Sequence, residues 1–260
     1  MTVIVIFLGI IQALSEFLPI SSSAHLLIFP WLFKFADPGL GFDAAIHVGT
    51  AIALVAFFYK DFWRMIKTHD RLLWMIVVAS IPGAAIGFLG EKWIDQYLHQ
   101  SSVAPLVVGI GLILFGGLLY IVDKVTAPTI EIKQLSWGRS LVIGFAQALA
   151  LIPGVSRSGI TLTTGMFSGL SRSDAARFSF LLATPITLGA GAYKIMDLIK
   201  SPASSVSNFQ RFLGVLVSAV LGFAVIKWLL NYLVKHGLGI FVWYRIILGT
   251  IVILVYFLRG

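Results

Sequence analysis

The chain has 260 residues, of which 58% are apolar and only 12% are charged. An ordinary soluble domain is about 45–50% apolar and about 25% charged, so this composition excludes a water-soluble globule and indicates an integral membrane protein. The chain has no cysteine, which excludes disulfides and cysteine metal sites. Its net charge is +8, and its lysines and arginines stand singly between apolar runs. This distribution favours membrane-flanking loops over a nucleic-acid surface.

The first apolar stretches predict a hairpin followed by three membrane spans. Val3–Leu18 and Ala24–Phe35 are shorter than the roughly 20 residues that cross the hydrocarbon core. A break from Glu16 to Ser23, with a proline and three serines, separates them. Because proline and clustered serines end helices, this pair predicts two helices and a loop that dip into the membrane. The longer stretches that follow are Phe42–Tyr59, Leu72–Leu89 and Val103–Val122.

The second half of the chain has the same order of elements. Leu141–Ile152 and Gly159–Leu170 flank a break from Pro153 to Gly159. This pair predicts a second hairpin for the same reason as the first. The longer stretches that follow are Phe178–Ile195, Phe212–Val234 and Ile240–Leu258.

The two halves also match residue by residue, which indicates an internal repeat. At an offset of 134 or 135 residues, the matching pairs include Gln12 with Gln147, Pro19 with Pro153, and Ser22 with Ser156. Three spans in each half are an odd number, so the second half is expected to lie inverted in the membrane. The predicted fold is therefore one all-α integral membrane domain over residues 1–260. It has two inverted-topology repeats, about 1–125 and about 136–260, each with one re-entrant helical hairpin and about three transmembrane helices.

The first break carries the polar residues that are hardest to explain by packing. A carboxylate at the depth of Glu16 costs several kcal/mol unless it is paired or hydrated. Gln12 lies one helical turn before it, and Ser22 and His25 follow the break. Such a group can bind a hard cation, accept a proton or activate a nucleophile. The alternative is that Glu16 lies at the membrane interface beside water.

The second break has the composition of an anion site. Its glycines allow backbone N–H groups to turn inward, and a helix starting near Ser158 directs its positive end to the same place. Arg157 adds a planar fork suited to two phosphate oxygens, and hydroxyl donors come from Ser156, Ser158 and Thr161. The alternative is that Arg157 reaches lipid headgroups while the serines cap a helix. The break by itself indicates an oxyanion, not its hydrolysis.

These motifs resemble the signatures of the bacterial undecaprenyl-diphosphate phosphatase family, UppP or BacA. The likeness is carried by QALSEFLPISSSAH (residues 12–25) and PGVSRSGIT (153–161), with support from FDAAIHVG (42–49) and FSFLLATP (178–185). The resemblance implies a multi-pass enzyme of the bacterial cytoplasmic (inner) membrane that hydrolyses undecaprenyl diphosphate to undecaprenyl phosphate and phosphate. This activity recycles the lipid carrier for peptidoglycan synthesis and confers bacitracin resistance. The implied cofactor is a divalent cation, Mg²⁺ or Ca²⁺; membrane lipids are expected partners, and a homodimer is compatible with the sequence.

Roles carry over to individual residues of the two motifs. Catalytic roles are implied for Glu16, Ser22, His25 and Arg157, and phosphate binding for Ser156, Arg157, Ser158 and Thr161. Gln12 stands where many family members have a first glutamate, so Glu16 is the main candidate to hold the cation, with Gln12 beside it. His47 stands where the family pattern has glutamine, and no catalytic role is expected there. Asp43 and His47 lie four residues apart and either join the site or face the interface.

Alternatives remain for both the nucleophile and the function. Phosphorus is attacked by Ser22 with His25 or Glu16 as base, by His25 itself, or by metal-bound water; Ser22 is favoured because it matches Ser156 at the hairpin tip. The main rival function is a transporter or flippase of an anionic polyprenyl lipid. A phosphatidate-phosphatase type of hydrolase is disfavoured because its Pro-Ser-Gly-His run is absent. A structural scaffold would not need Glu16 and Arg157 in the breaks.

Overall fold

The structure is a computed structural model that describes residues 1–94, 101–200 and 206–259. Within these ranges the secondary structure is helical, with an isolated bridge between Ile130 and Leu170 and no β-strand. The predicted all-α class is confirmed. The absence of strands follows from the long apolar runs, since a helix satisfies every backbone polar group within its own segment.

Each half of the chain contains two short helices followed by three long ones. The first half contains α1 (Thr2–Phe17), α2 (Ser22–Phe33), α3 (Leu40–Lys67), α4 (Arg71–Ile94) and α5 (Ala104–Val125). The second half contains α6 (Trp137–Ala148), α7 (Arg157–Phe167), α8 (Arg172–Lys200), α9 (Asn208–Lys235) and α10 (Gly239–Arg259). Both predicted breaks therefore separate two short helices.

Five helical segments within the described residues are long and apolar enough to cross a membrane, which makes the chain a multi-pass membrane protein. They are Gly41–Lys67, Arg71–Gly90, Ala104–Val125, Asn208–Lys235 and Gly239–Arg259. The sixth predicted span, Phe178–Ile195, is helical within α8. Its last residues, from position 193, have side chains that lie outside the described part of the chain.

Equivalent helices of the two halves cross closely in the same way. Helix α1 packs on α9 and α6 packs on α4, while α5 packs against α10. At the first crossing a Cβ on Gly9 would lie 3.3 Å from the carbonyl oxygen of Gly214, and at the second a Cβ on Gly144 would lie 2.1 Å from that of Ala79. Gly144 lies 135 residues after Gly9, and Gly214 lies 135 residues after Ala79. The two crossings therefore use corresponding positions of the two halves. A side chain at Gly144 would clash with the facing backbone and one at Gly9 would be tight, so glycine lets the two backbones approach.

The two breaks share an unusual backbone conformation. Ser21 and Ser156 both have φ of 75°, and each stands at the N-cap position of the helix that follows, although only the Ser156 side chain accepts a capping hydrogen bond. Ser21 and Ser156 are therefore equivalent, and Ser22 matches Arg157. The expected pairing of Ser22 with Ser156 is wrong by one residue. The predicted pairing followed from aligning Pro19 with Pro153. In the structure, the residues with left-handed φ show which positions of the two breaks correspond.

Candidate active site

The two breaks meet, although they are far apart in the sequence. Arg157 Nη2 donates a hydrogen bond to Glu16 Oε1 at 2.7 Å, and the side chain of Glu16 is 8% exposed. Ser158 Oγ also donates to the carbonyl oxygen of Leu18, in the first break, at 3.0 Å. A buried carboxylate is tolerated here because a guanidinium neutralises it. The two predicted polar centres thus form one site.

Glu16 is surrounded by hydrogen-bond donors. Its Oε2 atom accepts from Gln12 Nε2 at 3.0 Å and from Ser22 Oγ at 2.6 Å. The hydroxyl proton of Ser22 is therefore already directed at a carboxylate. This is the arrangement in which a carboxylate can act as a general base for a hydroxyl nucleophile.

His47, to which the sequence assigned no catalytic role, lies beside the same carboxylate. Its Nε2 atom is 3.8 Å from Glu16 Oε2. Its Nδ1 atom is 2.7 Å from the carbonyl oxygen of Asp43, to which it donates as an N–H group. Of the two interpretations of this helix face, the geometry favours the one in which His47 joins the site. The signal was already in the sequence: two polar residues share one face of an apolar helix.

His25 lies at the same break but is bonded elsewhere. Its Nδ1 atom is 2.7 Å from the carbonyl oxygen of Ser21 and its Nε2 atom is 2.6 Å from Tyr244 Oη. Because a carbonyl only accepts, Nδ1 carries the proton of the neutral ring, and Nε2 accepts from the Tyr244 hydroxyl. The lone pair of the ring is therefore occupied. His25 is better placed to hold the first break than to attack an electrophile.

Removing the Tyr244 hydroxyl is expected to destabilise the protein. In Tyr244→Phe the buried Nε2 of His25 loses its donor, which should lower the free energy of unfolding by about 1–3 kcal/mol. Denaturant titration of the purified protein in detergent measures this. Tyr256→Phe is the control, because the hydroxyl of Tyr256, on the same helix, has no hydrogen bond within the described part of the chain. Equal effects of the two variants would contradict the His25–Tyr244 assignment.

The hydroxyl groups of the second break mainly hold the start of α7. Ser156 Oγ accepts from the Gly159 N–H at 3.1 Å and lies 3.2 Å from Ser158 Oγ. Thr161 Oγ1 donates to the Arg157 carbonyl at 2.7 Å and lies 2.6 Å from Ser179 Oγ. These contacts order the first turn of α7, where free backbone N–H groups and the helix dipole favour an anion.

Helix α8 contributes a residue that the sequence did not indicate. Arg157 Nη1 donates to Thr187 Oγ1 at 2.9 Å, while Nη2 donates to Glu16. Both ends of the guanidinium are thereby oriented. Ser179 and Thr187 lie about two turns apart on one face of α8, and this spacing of hydroxyl groups is the signal by which they could have been found.

A free oxygen beside Glu16 fits a cation. Gln12 is fully buried, and its Oε1 atom has no hydrogen-bond partner. Because the carboxylate only accepts, the amide nitrogen must face Glu16, which leaves Oε1 as a bare acceptor. Among the described residues no group of three His, Cys, Asp or Glu side chains could hold a metal. Gln12 and Glu16 would thus be two side-chain ligands of a cation held here, and bound oxyanions or water would complete its coordination.

Comparison with known proteins gives one consistent result. The sequence model of the family described as bacitracin resistance protein BacA matches residues 5–251. A Desulforudis audaxviator protein is 44% identical over 263 residues, covering 98% of each chain. A Caldicellulosiruptor bescii protein is 43% identical (98% and 97% covered), and one from Pelotomaculum thermopropionicum is 46% identical (95% and 93%). All three relatives are named undecaprenyl-diphosphatase.

Proposed function

Since the chain belongs to the BacA family, we propose that it is an undecaprenyl-diphosphate phosphatase, which releases phosphate and undecaprenyl phosphate. The observation that carries this function is the contact between the two breaks, in which Arg157, Glu16 and Ser22 are joined by hydrogen bonds. The product is the lipid carrier that peptidoglycan synthesis uses again. The enzyme works in the bacterial cytoplasmic membrane, and its activity counteracts bacitracin.

The two hairpins are proposed to be re-entrant and to enter the membrane from opposite faces. Three observations support this inverted repeat: the equal helix order, the equal glycine crossings, and the equivalent serines with positive φ. Helices that end inside the membrane bring their polar termini to a common depth. A diphosphate headgroup can then reach Arg157 while its polyprenyl chain stays among apolar helices or in lipid.

Binding of the diphosphate depends on charge and orientation. Arg157 is the first residue of α7, and both its guanidinium fork and the N-terminus of that helix favour phosphate oxygens. Thr187 and Glu16 hold the guanidinium in place before the substrate arrives. Because phosphoryl transfer needs little more than positioning and charge neutralisation, this arrangement supplies most of the catalysis.

Ser22 is the proposed nucleophile. Its Oγ atom attacks the terminal phosphorus, its proton passes to Glu16, and the bond to the bridging oxygen breaks to release undecaprenyl phosphate. Water then hydrolyses the phosphoserine, which frees phosphate and restores the Ser22 hydroxyl. The support is the 2.6 Å hydrogen bond from Ser22 to Glu16. His25 is the weaker candidate because its Nε2 already accepts from Tyr244.

The proposed cation, Mg²⁺ or Ca²⁺, would be held by Gln12 Oε1 and Glu16. Its chemistry when bound is to neutralise charge on the diphosphate oxygens. Gln12 is suited to this role because its buried oxygen otherwise lacks a partner. Glu16 is the carboxylate proposed to hold the cation, and Arg157 supplies much of the remaining positive charge.

Changing Gln12 should shift the cation requirement. Gln12→Glu adds a carboxylate ligand and is expected to lower the Mg²⁺ concentration for half-maximal activity by about tenfold, because hard cations prefer charged oxygen ligands. Gln12→Leu removes the ligand and should raise it. Titration of Mg²⁺ into chelator-treated enzyme measures both. Gln147→Leu, the same change at the equivalent place in the second half, should leave the requirement unaltered; an equal shift there would refute the assignment.

Hydrolysis and transport can be told apart because hydrolysis does not need sealed compartments. The purified chain in detergent is expected to release phosphate from long-chain polyprenyl diphosphates and to stop when a chelator is added. A transporter or flippase needs sealed vesicles to show its activity. If the protein moved the lipid across vesicle membranes but released no phosphate in detergent, the flippase function would replace the present proposal.

A further inference from the structure

Arg245, in helix α10, is the largest side chain among the fully buried residues, with 0% exposure. Within the described ranges no carboxylate lies within ion-pair distance of it. A buried guanidinium without a counter-ion is costly unless its N–H groups are satisfied. Its position therefore needs an explanation that packing alone does not supply.

All hydrogen bonds of Arg245 go to backbone carbonyl oxygens of three separate segments. In the first break the acceptor is Pro19 at 3.1 Å, and in the second break the acceptors are Gly154 at 2.8 Å and Val155 at 3.0 Å. In helix α5 the acceptors are Leu112 at 3.3 Å and Gly111 at 3.4 Å. One guanidinium thus connects both hairpin breaks to the long helix behind them.

The breaks need such a donor because their backbone is not helical. Carbonyl groups where a helix ends have no partner in their own segment, and inside a membrane water does not replace it. The planar fork of arginine presents five N–H groups in fixed directions, whereas lysine presents a single ammonium. The fit is close: a Cβ on Gly159, in the first turn of α7, would lie 2.8 Å from Arg245 Nη1.

We infer that Arg245 is a positioning residue that fastens the two hairpin breaks to each other and so sets how Glu16 meets Arg157. Pro19 lies three residues after Glu16 and three before Ser22, while Val155 lies two residues before Arg157. Movement of either break changes the distance between the carboxylate and the guanidinium directly. The kinetic test of this inference rests on the proposed phosphatase activity, whereas the structural test does not depend on it.

The kinetic test compares two variants with a matched control. Arg245→Met removes every donor and is expected to lower kcat about 100-fold, because small displacements of reacting groups have effects of this size. Arg245→Lys keeps the charge but loses the fork, and should lower kcat about tenfold. KM should change less than kcat, since Arg157 remains. Arg259→Met is the control: Arg259 is also on α10 and binds two carbonyls, of Trp31 and Leu32, away from the breaks. It should keep wild-type kcat.

The structural test measures the distance between the breaks. Because the chain has no cysteine, spin labels can be attached at Leu14→Cys and Ile152→Cys, which are 38% and 36% exposed. The distance distribution should broaden with Arg245→Met and stay narrow with Arg259→Met. If Arg245→Met does not fold, Arg245→Lys provides the same two readouts with smaller changes.

The outcomes separate the inference from its premise. A folded Arg245 variant with kcat near that of wild type would overturn the inference. A low kcat with an unchanged distance distribution would also overturn it, because Arg245 would then act through its charge and not by positioning. If the wild type releases no phosphate, the proposed function fails, while the distance measurement still decides the role of Arg245.

Discussion

Arg157→Ala is expected to abolish phosphate release, with kcat/KM lower by about 10³–10⁵, the range found when an arginine is removed from a phosphoryl-transfer site. The variant loses the fork that binds the terminal phosphate. It also leaves the buried carboxylate of Glu16 without its counter-ion, 2.7 Å away in the wild type, which adds to the loss. Continuous phosphate detection in detergent, with a polyprenyl diphosphate as substrate, measures the effect.

Two further variants make the Arg157 result specific. Arg157→Lys retains the charge but not the bidentate geometry, and we expect activity between those of alanine and wild type. Arg177→Ala removes another arginine that pairs with a carboxylate, Asp61, at 2.6 Å and outside the site; it should remain nearly fully active. If Arg157→Ala kept more than a tenth of wild-type turnover, Arg157 would not be the main phosphate ligand.

Glu16→Gln is expected to lower kcat by about 10³-fold, since it removes both a general base and the charged ligand of the cation. The amide is nearly the same size, so packing around Gln12 and Ser22 should survive and the protein should fold. Ser22→Ala should lose a comparable amount, and the double variant should lose little more than either alone, because residues that act as one unit are not additive. Asp61→Asn, at a carboxylate outside the site, is the control.

The Ser22 step can be observed directly. Rapid quenching of wild type with substrate labelled in the terminal phosphate should trap label on Ser22, and Glu16→Gln should slow its formation. Full activity of Ser22→Ala would assign the attack to water, and label found on His25 would assign it to the imidazole. In either case the predictions for Arg157 and Glu16 would still hold, because they rest on the contact between these two side chains.

The elements and both polar centres of the site were predictable from local sequence. Runs of apolar residues define the long helices, and the proline and serine clusters define the breaks, because both signals act within a few residues. The register between the halves was less secure. Matching Pro19 with Pro153 shifted the register by one residue, although Gln12 with Gln147 gave the offset of 135 that also relates Ser21 to Ser156. The positive φ that decides between the two offsets depends on the packed backbone.

The sequence alone determined that the chain lies in a membrane, where its helices break, and that Glu16 and Arg157 are the polar residues hardest to explain there. Only the tertiary structure decided that these two groups are partners, that His47 lies beside Glu16, that Thr187 orients Arg157, and that Tyr244 and Arg245 hold the breaks. From the sequence, Arg245 is simply a basic residue near the start of an apolar helix. The physical reason is that hydropathy and helix-breaking act over a few residues, whereas hydrogen bonds between distant helices depend on which helix faces pack together.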